Sequence, residues 1–402
     1  MTGPTFHDDY KNSIIIIPLV VILVIFSVEV PILQNISKYA SINSEDIAVV
    51  LVFMYFIFSK LNSDWSLQVR LPRVTFYLGL VSGWIILTLI IATLRSDQSV
   101  AASYLWVLKW FEVVAFFIVI QDIFDRVRSK LALKTMVLSG LLISIYSIIS
   151  SYTGQYRIEI FFNNPNVLAS FLILTMMLAA GFAVYKRSIY YFISMIVLGG
   201  AVITTGSRSG IFGLIVALTV FSLITYKSWS KTDYFALTVA GVTSVATLPF
   251  IVDPAVLYRL ISWISFRGGQ FVLTESSAAN SFRIRAQLVE KAIELFQQQP
   301  IFGYGWFAVP SRVGYLDVYY TIILVELGIV GAILYLLFSL SIIRSWIVDY
   351  RNGAVIAGAA GAAWYCGLLA QSVGGAFPRV PQIMLLTFIV LISSRSIAAG
   401  KQ

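Results

Sequence analysis

The stretch 164–184 reads NPNVLASFLILTMMLAAGFAV and holds no charged side chain. Ser170 and Thr175 are the only hydroxyls between Val167 and Val184. A helix that is apolar all round is either buried in a large core or crosses a membrane, and a crossing needs about 20 such residues. Its start is marked as well: Asn164 suits an N-cap and Pro165 the first helical position.

The same reading marks eleven more apolar segments: 13–33, 45–59, 74–94, 101–124, 131–151, 189–204, 210–226, 234–252, 317–343, 354–374 and 382–394. The last is short for a span. Composition agrees, since 59% of the 402 residues are hydrophobic and 12% charged. Soluble domains run about 45–50% apolar and about 25% charged. The expectation is an all-α polytopic membrane protein with about 12 transmembrane helices, residues 1–402 forming one membrane domain. The first segment is followed by Ser27-Val28-Glu29-Val30-Pro31, which offers no small-residue cleavage site and reads as an uncleaved anchor.

Cysteine and histidine counts remove whole classes of chemistry. With Cys366 alone no intrachain disulfide can form, and His7 stands alone in the N-terminal tail. Ser-His-Asp or Cys-His catalysis and His- or Cys-ligated metal centres are thereby disfavoured. Chemistry is left to Arg, Lys, Asp, Glu, Asn, Tyr and backbone dipoles. The net charge of +9 is explained by basic cytoplasmic loops rather than by nucleic acid. With the N-terminus in the cytoplasm, the inner side carries 16 Lys and Arg, and five short outer loops hold one each: Lys38, Arg95, Arg157, Arg208 and Arg379. Both termini are expected inside.

Residues 253–316, between the ninth and tenth segments, form the one large extracytoplasmic loop in this arrangement. Gly268 to Ser277 reads as irregular, and Ser281 as the N-cap of a helix reaching about Gln299, stopped by Pro300 and Gly303-Tyr304-Gly305. Ile284, Leu288, Val289, Ala292, Ile293, Leu295 and Phe296 recur at helical spacing and make one apolar stripe. On that wheel Arg285 falls near the stripe's middle, and Arg283 on the polar face with Gln287, Glu290 and Glu294. A guanidinium on an apolar face is costly unless an anion meets it. Either Arg285 snorkels to a lipid phosphate or a carboxylate, or it clamps a lipid-linked phosphate.

Three other places carry polar groups at the same predicted face. Thr204-Thr205-Gly206-Ser207-Arg208-Ser209-Gly210 is a short outer hairpin at the start of a span. Its glycines, the hydroxyls of Ser207 and Ser209, the Arg208 guanidinium and the helix dipole would make an anion nest, or Arg208 would anchor to ordinary headgroups. Asn164 and Asn166 open the sixth segment, as helix-start residues or as hydrogen-bonders to a sugar or phosphate. Tyr315-Leu316-Asp317-Val318-Tyr319-Tyr320 opens the tenth, with Glu326 deeper. Asp317 suits a general base or a dipole partner. Glu326 should pair with an internal cation, for which Lys109 is one candidate, and Lys109 is equally placed to pair with Glu112.

These blocks together resemble the O-antigen ligase/O-antigen polymerase (Wzy-type) superfamily of bacterial membrane glycosyltransferases. The resemblance rests on Asn164-Pro165-Asn166, then Thr205-Gly206-Ser207-Arg208-Ser209-Gly210. It continues with Arg285 before Pro300-Ile301-Phe302-Gly303-Tyr304-Gly305, and ends on Glu326 with Gly328-Ile329-Val330-Gly331. It covers about residues 160–335. It implies a C-type glycosyltransferase fold and a metal-independent enzyme without cofactor. The implied donor is an undecaprenyl-diphosphate-linked oligosaccharide, used at the outer face of the bacterial cytoplasmic membrane. Arg208 and Arg285 would then hold the diphosphate, while Asn166, Arg312 and Tyr315 would line the glycan path. Ligases to lipid A-core usually carry a histidine before the span that follows the large loop, where this chain has Asp317. That favours the polymerase branch, with a chain-length regulator and a flippase as implied companions. Transfer to another acceptor by a ligase, or a lipid-glycan flippase using Lys109, Glu112 and Glu326, are the rival readings.

Overall fold

The computed structural model describes residues 6–26, 29–30, 42–61, 67–95, 100–152, 162, 164–228, 265–267, 270–272, 277–309, 318–375 and 380–400. Twelve α-helices run through them: α1 (Phe6–Ile25), α2 (Ser44–Leu61), α3 (Pro72–Leu94), α4 (Val100–Ile123), α5 (Arg126–Tyr152), α6 (Pro165–Lys186), α7 (Ile189–Thr204), α8 (Arg208–Thr225), α9 (Ser277–Gln298), α10 (Tyr319–Arg351), α11 (Val355–Gln371) and α12 (Pro381–Ala399). Two antiparallel ribbons accompany them, β1 (Glu29–Val30) with β2 (Ile42–Asn43), and β3 (Ser265–Arg267) with β4 (Gln270–Val272).

Among the described residues, eight helices are long and apolar enough to cross a membrane: α3, α4, α5, α6, α8, α10, α11 and α12. Helix α7 and the described apolar part of α1 are shorter, and α2 carries Glu45, Asp46 and Lys60. Every expected segment but one thus coincides with a helix; segment 234–252 lies outside the described residues. Large apolar side chains stand exposed around the bundle, among them Phe76, Leu94, Leu108 and Leu223. Such a girdle suits hydrocarbon and would be costly in water. This is a polytopic membrane protein.

Helix α6 sits at the centre, buried at every position from Val167 to Val184, as its uniform apolarity requires. Beside it α12 is buried over most of its length and runs to Ala399, five residues past the expected end, with Pro381 fixing its start. Helices α8 and α11 cross at Gly213 and Gly367, so close that a Cβ on either would meet the other's carbonyl oxygen at 2.8 Å or less.

Three expectations need correction. The first span ends at Ile25, and Glu29–Val30 beyond it pairs with Ile42–Asn43 instead of extending the helix. The loop expected from Gly268 to Ser277 contains β4, paired with β3 across Gly268-Gly269, a dipeptide that suits a hairpin. Helix α9 begins at Ser277, so Ser281 lies inside it rather than capping it.

Several of the basic residues that the charge count assigns to the cytoplasm, Lys60, Arg70, Arg126 and Arg395 among them, lie at one end of the bundle. Lys60 pairs with Asp122 at 2.8 Å and Arg395 with buried Asp349 at 3.2 Å. Arg126 donates to the Gly400 carbonyl at 2.9 Å, and Arg70 to the Phe124 carbonyl and, at 2.9 Å, to the Ser396 hydroxyl. Half-burial pushes the Arg70 pKa below its ordinary value, with the carboxylates of Asp122 and Asp125 opposing.

Candidate active site

At the other end, α6, α8 and α10 begin and α11 finishes. Asn164 caps α6 by accepting from the Asn166 N–H at 2.8 Å, with Pro165 next, as the sequence dictates. Ser207 caps α8: its Oγ accepts from the Gly210 N–H at 2.9 Å and donates to Asn166 Oδ1 at 2.6 Å. Gly206 supplies the left-handed residue, φ 64°, that turns α7 into α8. One hydroxyl therefore ties the starts of α6 and α8 together.

Behind this pair lies a wholly buried amide that sequence reading passed over. Gln371, in the last turn of α11, donates from Nε2 to the Asn166 carbonyl at 2.9 Å and accepts from Ser170 at 2.7 Å. Trp364 Nε1 donates to the Ser170 carbonyl at 2.9 Å. A buried acceptor or hydroxyl that loses its partner costs about 1–3 kcal/mol. Gln371→Leu is therefore expected to destabilise the detergent-solubilised protein by that amount in thermal unfolding; an unchanged Tm would remove Gln371 from its supporting role. Tyr320, in the first turn of α10, donates from its hydroxyl to the Leu369 carbonyl at 2.6 Å and brings α10 to the same corner.

Helix α10 is broken. Gly328 sits at φ 66°, ψ −174°, outside any helical conformation. In an unbroken helix the carbonyls of 325, 326 and 327 would bond to N–H groups four residues on. Here Val325 and Glu326 accept from the N–H groups of Tyr304 and Gly305, both at 2.9 Å. Leu327 accepts from Trp84 Nε1 at 2.8 Å, and the Ile329 N–H donates to the Pro300 carbonyl at 2.8 Å. Irregular backbone within the depth of α3 is tolerated because its polar groups are paired inside the protein. Beyond exposed Pro300 and Ile301, the chain 302–309 is thus a largely buried re-entrant segment, and not only the helix stop in the outer loop expected from its Pro and Gly residues. Three ring pairs clamp it to α3 and α4: Phe302 on Trp84, Phe307 on Trp106, and Trp306 edge-on to Trp110.

This segment leads straight out of α9. Ala292 is wholly buried, and Leu288, Val289, Leu295 and Phe296 pack with it against Tyr304, Ala308, Val309, Ile322 and Val325. The apolar stripe is real, with Ile284 and Ile293 at its edges left about half exposed. Arg285 lies in line with Ala292, about two turns (~10 Å) toward the helix start. It is half-buried, as is Arg208, the first residue of α8.

The remaining predicted residues fall differently. Asn164 is engaged as a cap, and Ser207 is spent joining two helix starts, so the hairpin is a less open nest than expected. Ser209 Oγ lies 3.3 Å from Ser207 Oγ. Among the described residues the Nδ2 amide of half-buried Asn166 has no hydrogen-bond partner. Tyr319 is buried, edge-on to Tyr320 and Tyr335. Glu326 is fully buried with Oε1 3.3 Å from the Val309 N–H, facing the re-entrant segment. Its expected pairing with Lys109 does not occur: Lys109 takes both oxygens of Asp46 at 2.7 and 2.8 Å, and the expected partner Glu112 joins the same group, hydrogen-bonded to Asp46 and within reach of the Lys109 charge. Asp317, Arg312 and Tyr315 lie outside the described residues, and so do most of the positions in 253–276.

Residues 192–336, just over a third of the chain, match the family model described as O-antigen ligase (Wzy_C). The match takes in the Arg208 hairpin, α9, the re-entrant segment and the Gly328 break, and starts after the Asn164–Asn166 block. No curated protein matches the chain. The match of residues 192–336 supports a place for this chain near the O-antigen ligase/O-antigen polymerase superfamily, whose members are glycosyltransferase-like enzymes.

Proposed function

We propose that the protein is a polysaccharide polymerase of the O-antigen or exopolysaccharide type. It moves a growing glycan from undecaprenyl diphosphate to a sugar hydroxyl of the next lipid-linked repeat unit. In the step, the hydroxyl oxygen bonds to the anomeric carbon, the bond from that carbon to the diphosphate oxygen breaks, and undecaprenyl diphosphate leaves with one more negative charge. Arg208 and Arg285 take up that charge, which is the interaction that grows in the transition state. Asp317 receives the hydroxyl proton. Asn166, Arg312 and Tyr315 line the glycan path, and no metal ion takes part. The reaction faces the outside of the cytoplasmic membrane, with both termini inside and 253–316 covering the site.

One observation carries this reading. The elements bearing the two arginines both lock onto the first turns of α10: α9 through Ile322 and Val325, and the α6–α8–α11 corner through Tyr320 and Leu369. Reconstitution of the purified protein in liposomes with lipid-linked repeat units tests it. A ladder of longer lipid-linked glycans with release of undecaprenyl diphosphate is expected, undiminished by a chelator. Transfer only to an added foreign acceptor would make it a ligase, and translocation without elongation would make it a carrier.

A further inference from the structure

A pocket opens at the end of the bundle opposite the candidate site, where the first turn of α3 meets the last turns of α10. Its volume is about 780 Å³ and its walls include four guanidinium side chains, Arg70, Arg73, Arg344 and Arg395. Two of the four are already spoken for inside the protein. Arg395 pairs with buried Asp349, and Arg70 is held by the Phe124 carbonyl and the Ser396 hydroxyl. Arg73 and Arg344 are exposed and form no ion pair among the described residues. They stand on different helices and share this cavity, so their charges add within it. The lining is otherwise largely apolar: Phe76 is 61%, Leu340 50% and Leu337 37% exposed, all on the bundle's outer surface.

We infer that this pocket binds an anionic phospholipid, its phosphate between Arg73 and Arg344 and an acyl chain along Phe76, Leu337 and Leu340. Each half of the pocket matches one half of such a molecule. Guanidinium forks fit phosphate oxygens bidentately, and basic pockets between membrane helices favour acidic headgroups. The cavity is of a size that holds a small amphiphile. Loop charge alone would give arginines at this membrane face, but it would not place them over an apolar cleft that reaches the lipid-facing surface. The donor site proposed above lies at the other end of the helices, so the two sites have separate ligands.

Native mass spectrometry of the full chain, released from mixed micelles of phosphatidylglycerol and phosphatidylcholine, tests the assignment. The wild type is expected to retain phosphatidylglycerol in preference to phosphatidylcholine. Arg73→Gln with Arg344→Gln should lower its affinity for phosphatidylglycerol about thirtyfold, while phosphatidylcholine retention and the lipid-free Tm stay as in the wild type. Lys227→Gln, which removes an exposed charge at the membrane face predicted to be the same and outside the cavity, should leave the preference intact. Equal retention of phosphatidylglycerol by the double variant would overturn the inference. So would an equal loss in Lys227→Gln, or displacement of the lipid by millimolar inorganic phosphate.

Discussion

If the proposed polymerase reading holds, Arg285→Ala is expected to abolish polymer formation in the reconstituted elongation assay, and Arg283→Ala to leave most of it. The two residues are neighbours but one in sequence and of one charge type, so charge count and expression context do not separate them. Helical geometry does. Arg285 shares the line of Ala292, which the fold buries completely, while the wheel sets Arg283 on the opposite, polar face. If Arg285 stabilises the departing diphosphate, its loss removes an interaction made mostly in the transition state. Removing one such donor typically costs a factor of about 10²–10³ in turnover. Arg285→Lys keeps the charge but loses the planar fork, and should recover only part of the rate. Equal turnover of Arg285→Ala and Arg283→Ala would break the link between helix face and chemistry.

Gly328→Ala should have the largest effect of any glycine-to-alanine change among the described residues. Its φ of 66° with ψ of −174° belongs to a region that is essentially reserved for glycine, at a cost of about 1–3 kcal/mol for other residues. The new Cβ would also stand 2.1 Å from the Ile301 carbonyl oxygen, which is backbone and cannot swing away. Relief requires the re-entrant segment to leave the carbonyls of Val325 and Glu326, and α9 leaves with it. We expect either no monodisperse protein, or folded protein with turnover down by a factor of at least about 10², as for a displaced catalytic element. Gly83→Ala, where an added Cβ meets nothing within 4 Å, is the control and should be silent. A Gly328→Ala protein with wild-type Tm and activity would mean that the break in α10 is dispensable.

Legibility in the sequence followed the range of the interactions. Spans such as α6 were readable because transfer from water depends on composition alone, and the Asn164-Pro165 start because its cap is local. The Arg285 stripe was readable because helical spacing is a local rule. The break at Gly328 was not: a glycine inside a continuous apolar run looks like any membrane-helix glycine until the carbonyls it frees find Tyr304 and Gly305. For the same reason Pro300 and the glycines after it read only as a helix stop in the outer loop, since nothing local reveals that three tryptophans of α3 and α4 wait for Phe302, Trp306 and Phe307. Lys109 was assigned partners on its own helix or on α10, while the carboxylate it grips, Asp46, stands 63 residues earlier. Gln371 gave a weak signal, a lone amide at the end of an Ala- and Gly-rich helix. Its two buried bonds connect residues about 200 positions apart, beyond the reach of any local pattern.

The central claim is that two arginines from distant parts of the chain grip one diphosphate. A double-mutant cycle on the binding of undecaprenyl diphosphate to the purified protein measures this directly, using Arg208→Ala, Arg285→Ala and the pair. Groups that share a ligand are coupled, by about 0.5–3 kcal/mol in such cycles. The account predicts that each single variant weakens binding and that the pair loses clearly less than the two losses added together. Strictly additive losses, or a single variant that binds as the wild type does, would place the two guanidinium groups in separate surroundings and contradict it.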